Sequence, residues 1–266
     1  MKIKAASVVL IFLAAGLLFD TALAQGIRKP VWAGQFYEAD PVRLAYLIDS
    51  FLQAANPSSA QGSIVGLVSP HAGYIYSGQI AAHGYQLVRN LDISTVVIIG
   101  PSHQVGFEGC SIYLKGSFQT PLGLAAVDEI LAGELARISG FGYLAEAHQK
   151  EHSIEVQVPF IQRVFPQAKI VPIVMGYQTE ETINRLASAL AKTLPGKKAL
   201  VVASTDMSHF LTKEKAREQD NKTIELLKSL EINTLLRKVG RGENIMCGGG
   251  PVLALLLYAR KLGEAK

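Results

Sequence analysis

Two cysteines in 266 residues, Cys110 and Cys247, are too few for a disulfide-stapled scaffold or a four-cysteine zinc site. Charge is also sparse: Asp, Glu, Lys and Arg make up 18% of the chain, and the net charge is only +4. A sequence pI near 9.0 would permit a nucleic-acid partner, but the basic residues form no patch that would require one. Lys213, Lys215, Arg217, Arg237, Lys238 and Arg241 alternate with acids or lie on predicted helix surfaces, as solvated faces do. No P-loop is present, and Gly248-Gly249-Gly250 does not make the G-x-G-x-x-G dinucleotide fingerprint. The 24 glycines and 11 prolines follow no repeat, which excludes collagen-like and low-complexity chains. What the chain does have is apolar substance. At 49% hydrophobic residues and a mean hydropathy of +0.23 it is far from the disordered regime.

Part of that apolar excess is N-terminal. Lys2 and Lys4 precede an almost uninterrupted apolar stretch over residues 5–19, and Ala22-Leu23-Ala24 supplies a small-x-small cleavage pattern. Residues 1–24 therefore read as a secretory signal peptide. The stretch is shorter than the about 20 apolar residues a permanent helical span needs, and no cysteine follows it as a lipid attachment site. The expectation is an exported, secreted or periplasmic protein without a permanent membrane span, with one domain over residues 25–266.

That domain alternates. Asp40-Pro41 makes a helix start, with a carboxylate cap before a proline at the first turn, and Leu44, Leu47, Ile48, Phe51 and Leu52 then share one face. Buried strands are expected at 63–68, 95–99, 111–114, 169–174 and 200–203. Helices are expected at 77–90, 128–138, 151–164 (kinked at Pro159), 180–193, 213–230 and 252–262. Apolar strands without polar alternation, separated by helices, imply an α/β fold with a central, mostly parallel sheet covered on both faces.

The polar chemistry falls in register with those strands. His71 follows the first strand in Ser69-Pro70-His71, His103 follows the second in Pro101-Ser102-His103, and Asp206 and His209 follow the last in Asp206-Met207-Ser208-His209. Ligands of open α/β sheets bind beyond the carboxyl ends of the strands, so three imidazoles and a carboxylate are delivered to one rim. Cys247 precedes the last helix in a glycine-rich loop that allows it to face the same crevice. Neutral imidazoles together with a thiolate or carboxylate suit a borderline divalent metal: Fe(II), Cu or Zn.

Other readings of the same residues remain open. His148-Gln149-Lys150-Glu151-His152 matches the inverted zincin pattern H-x-x-E-H, which needs both histidines on one helix face. Cys247 could act as a hydrolase nucleophile, with His209 as base, Asp206 orienting it and the Gly248–Gly250 amides as an oxyanion hole. In an oxidising compartment Cys110 and Cys247 could instead pair as a disulfide. The pocket could also be a non-catalytic module that captures a metal or a peptide.

Several segments carry a family resemblance: Arg28-Lys29-Pro30, Gly34-Gln35-Phe36-Tyr37, Pro70-His71-Ala72-Gly73-Tyr74, Gly100-Pro101-Ser102-His103, Glu151-His152-Ser153-Ile154-Glu155, Ser204 to His209, and Met246-Cys247-Gly248. In this order the chain resembles the Memo family, also called AmmeMemoRadiSam system protein B. The resemblance implies the fold of the LigB-like class III extradiol dioxygenases. It also implies a single Fe(II) or Cu held by His71, His103 and Cys247, with Asp206 and His209 lining the pocket as catalytic candidates. Ring-cleaving relatives use a carboxylate where this chain has Cys247, so the implied activity is redox or dioxygenase-like without catechol cleavage being specified. A small-molecule or peptide ligand is the implied partner. Export would separate the protein from the AmmeMemoRadiSam system protein A and radical-SAM partners that the family name implies. The chain also ends soon after Cys247, before the terminal strands that family members normally add.

Overall fold

The computed structural model describes residues 26–60, 62–243 and 245–263, and the leader expected over residues 1–24 lies outside them. Five strands make the central sheet: β2 (Gly66–Ser69), β3 (Thr95–Pro101), β4 (Cys110–Ile112), β7 (Lys169–Met175) and β8 (Ala199–Ser204). Their spatial order is β2-β8-β3-β7-β4, parallel except for β4, which runs antiparallel to β7. Every residue of β3 is buried, and so are the last six of β7. That burial on both faces is what their lack of polar alternation demands.

Helices supply the two covering layers. α1 (Pro41–Ala54), α2 (Tyr74–Val88) and α6 (Val158–Val164) pack together on one side, where α2 meets β2. α3 (Glu129–Ser139), α7 (Glu180–Thr193) and α10 (Gly249–Lys261) form the other layer. The helix starts are chemically explicit: Asp40, Asp128 and Thr179 each accept a backbone N–H of the first turn with their side chains. α8 (Lys213–Lys228) and α9 (Ile232–Gly240) extend between β8 and the Cys247 loop, and α8 buries only Thr223. Among the described residues no helix is long and apolar enough to cross a membrane.

Besides α9 and the short helix Ala145–Gln149, which no expectation covered, two features depart from the sequence expectation. The helix expected over 151–164 is two short ones, α5 (His152–Glu155) and α6, with Pro159 in the first turn of α6 rather than kinking a continuous helix. A second sheet of three short strands was not legible: β1 (Ile27–Arg28) pairs parallel with β5 (Ser117–Thr120), which pairs antiparallel with β6 (Gly123–Ala126). β1 is held by Arg28, whose guanidinium is buried against Glu155 at 2.6 Å and also donates to the carbonyls of His148 and Glu151. Glu155 in turn accepts the Val31 and Trp32 amides and the Tyr37 hydroxyl, and so fastens residues 28–37 across the rim of the main sheet.

Candidate metal centre

β2, β8 and β3 are neighbours, and all three end on the same rim. His71, Asp206 and His103 lie two residues beyond Ser69, Ser204 and Pro101 respectively, so the order of the strands sets their order across the crevice. Cys247 arrives from the opposite end of the sequence. Its amide donates to the Asp206 carbonyl (3.1 Å), and Gln178 donates to its own carbonyl (2.7 Å). The next residue must be glycine: a Cβ at Gly248 would run into the Ser204 carbonyl and the Thr205 side chain.

The result is a group of three donors, His71, His103 and Cys247, whose ligand atoms all lie within 4.8 Å of one another. The Cys247 sulfur is 3.1 Å from His71 Nε2 and accepts the Asp206 amide at 3.2 Å. Asp206 is anchored through one oxygen, which takes the backbone N–H groups of His71 and Ala72, while the other lies 3.8 Å from His71 Nε2. The loop beyond it is tied to α8, since Ser208 N donates to Asp220 (3.0 Å). It then turns through Phe210 at φ 60, with that ring fully in solvent.

Glu151 orients the second imidazole. One carboxylate oxygen accepts the His103 amide at 2.6 Å, and the other accepts His103 Nδ1 at 2.8 Å and the Ser153 amide at 2.9 Å. A carboxylate can only accept here, so Nδ1 carries hydrogen and Nε2 is the atom left to face Cys247. His152 stacks on His103 with centroids 4.3 Å apart and turns its ring edge-on to His71 at 5.3 Å. Trp32 and Phe36 close the wall behind His152.

These contacts set the charges. Burial, reinforced by His103, His152 and His209, keeps the His71 pKa well below its usual value, so the ring is neutral. Burial works against a charge on His103 too, but its contacts with Cys247 and Glu151 outweigh it and push that pKa up to about 9. Burial raises the Glu151 pKa, but the His103 ring and the backbone amides lower it further, to below its usual value. His152 is lowered by burial and by His103.

Of the five residues singled out from the sequence, His71, His103 and Cys247 meet as a potential ligand set. Asp206 sits beside them, and His209 is near enough to act on the charge of His71. The other readings of these residues fit less well. α4 (Ala145–Gln149) stops before Lys150, and Glu151 caps α5, so His148 and His152 never share a helix. His148 packs against Tyr113 and Tyr143 and bonds Ser111. The zincin pattern thus named two residues of the rim, Glu151 and His152, through a geometry they do not have. Cys110 and Cys247 are both free, not paired. An oxyanion hole at the Gly248–Gly250 turn loses two of its donors, because Gly248 N is bonded to Thr205 and Gly250 N to Gln178. The imidazoles of His71 and His103 are the ones in contact with the sulfur.

Comparison with known proteins places the site in context. Residues 28–266 match the family model described as Memo, Memo-like protein. A MEMO1 family protein of Sulfolobus acidocaldarius is 42% identical over 253 residues, covering 90% of this chain and 89% of that relative. MEMO1 family proteins of Sulfurisphaera tokodaii and Methanobrevibacter smithii are each 39% identical, with the same shares of both chains covered.

Proposed function

The chain belongs to the Memo-like protein family and has its LigB-like α/β architecture, and from that premise we propose that it is a metal-binding protein with one cation held by His71, His103 and Cys247. The observation that carries the reading is the convergence of two imidazoles and a sulfur, from three distant segments, within 4.8 Å. Metal–nitrogen and metal–sulfur bonds of about 2.0–2.3 Å fit a common centre at that spread. The donor chemistry fits as well, because one soft and two borderline ligands favour Fe(II), Cu or Zn over Mg(II) or Ca(II). Fe(II) or Cu is the proposed native ion, which when bound would supply one-electron redox chemistry and a Lewis-acidic position.

The protein's own residues would then divide the work. Glu151 fixes the His103 ring through Nδ1. Asp206 fixes the His71 loop and keeps its second oxygen turned to the pocket. His209, on the loop after Asp206, is the proposed group to take up or return a proton through its ring nitrogens. Trp32, Phe36 and His152 limit access to one side of the pocket, against which a small organic or peptide ligand would lie. The basic and apolar residues 1–24 support an exported location.

Anaerobic titration of the purified protein with Fe(II) and with Cu tests the site. One equivalent of tightly bound metal is expected, with at least a hundredfold weaker binding in Cys247→Ala and in His71→Ala. Full, unaltered stoichiometry in both variants would overturn the assignment. Oxygen uptake by the loaded protein with a panel of catechols then separates an enzyme from a binder.

A further inference from the structure

His71 offers the pocket a ring whose proton position is dictated from a distance. We infer that Ser204, Gln157 and Tyr85 form a hydrogen-bond relay that locks His71 as the Nδ1–H tautomer and leaves Nε2 bare toward Cys247. This rests on His71 being a metal-facing residue, as proposed above. All four side chains are almost fully buried, so no solvent can rescue a wrong orientation.

The directions follow from two backbone carbonyls. Gln157 lies 2.9 Å from the Pro70 carbonyl, which can only accept, so its amide nitrogen must point there. That fixes Oε1 on the other side, where it accepts the Tyr85 hydroxyl at 2.9 Å. The second amide hydrogen of Gln157 goes to Ser204 Oγ, also at 2.9 Å. Ser204 spends its one hydrogen on the Ser153 carbonyl at 2.7 Å. Toward His71 Nδ1, 2.9 Å away, the hydroxyl has only a lone pair left, so Nδ1 must be the donor. A neutral ring then has its lone pair on Nε2, at 3.1 Å from the Cys247 sulfur.

Ser204, Gln157 and Tyr85 are thus positioning residues. In both His71 and His103 the hydrogen on Nδ1 is held away from the pocket, by a neutral relay in one and by a carboxylate in the other. In this account both rings are oriented before a cation arrives, since neither must flip to turn Nε2 toward it.

Nitrogen NMR of metal-free protein carrying 15N-histidine tests the relay at neutral pH. The His71 signals, assigned by their loss in His71→Ala, are expected to show a protonated Nδ1 and an unprotonated Nε2. A protonated Nε2 overturns the relay. Ser204→Ala removes the acceptor with little change of volume, and should shift the tautomer toward Nε2–H and weaken Zn(II) binding about 10–100-fold. Wild-type tautomer and wild-type Zn(II) affinity in that variant would also overturn it. The two proposals fail separately. A protonated Nδ1 in a protein that takes up no Zn(II), Fe(II) or Cu would leave the relay standing and sink the metal reading. Stoichiometric, Cys247-dependent uptake by a protein with protonated Nε2 would do the reverse.

Discussion

At the scale of single residues, two positions carry consequences out of proportion to their size. Gly248 sits where any Cβ meets the Ser204 carbonyl and Thr205, so Gly248→Ala must push the Cys247 turn away from the end of β8. The expected loss is about 1–3 kcal/mol of stability, the usual cost of overpacking, with metal binding weakened because the sulfur moves. Urea unfolding and metal titration of the same sample check both effects, and an unshifted affinity would count against the turn as the device that places Cys247. His148 is the second. Burial, with Arg28 beside it, lowers its pKa to about 3 from an ordinary 6.5. The unfolded chain takes up this proton below pH 6.5 while the folded protein refuses it. The stability tied to the neutral ring is therefore complete above pH 6.5 and is lost as pH falls toward 3, with a limiting slope of ~1.4 kcal/mol per pH unit. Urea midpoints measured from pH 7 to pH 4 should fall less steeply in His148→Gln than in the wild type.

At the scale of elements, the first strand depends on charge rather than on its own apolar content. β1 has two residues, and its place is set by Arg28 reaching the buried Glu155, which also gathers Val31, Trp32 and Tyr37. Removing one member of a buried pair strands the other, at about 3–5 kcal/mol. Glu155→Ala leaves the Arg28 charge and three further donors without their acceptor, whereas Arg28→Met leaves the carboxylate with the other three. The alanine variant is accordingly expected to be the less stable, by calorimetry, and to lose protease resistance over residues 28–37 first. Equal melting temperatures for the two would contradict this hierarchy. The longer helices were legible from local signals, as the Asp40 and Thr179 caps and the apolar stripe through Leu44, Ile48 and Leu52 illustrate, whereas α4 and α9 were not. β1, β5 and β6 were not, because strands of two to four residues hold no periodicity to read and exist through pairing alone.

At the scale of the whole molecule, the proposed site joins the ends of the fold. His71 and Cys247 lie far apart in sequence but bring their donor atoms within 3.1 Å of each other, so a bound ion would act as a cross-link in the native state only. Mass action then predicts stabilisation of about 2.7 kcal/mol when free metal exceeds its Kd a hundredfold. A melting curve with and without Fe(II) under anaerobic conditions should show an upward shift in the wild type and none in Cys247→Ala. A shift of equal size in the variant would mean that the metal binds elsewhere.

The sequence by itself determined the α/β class, the all-buried strands and the delivery of His71, His103, Asp206 and His209 to one rim, because each depends on the residues immediately around it. The residues left a thiolate or a carboxylate open as the third ligand, and the resemblance to a known family chose Cys247. Only the tertiary structure decided that the sulfur lies against His71, that Glu151 serves His103 rather than a helical metal motif, and that Ser204 and Gln157 stand behind the first imidazole. Those are contacts between residues dozens to well over a hundred positions apart. They are fixed by strand order and loop packing, which no short window of sequence encodes.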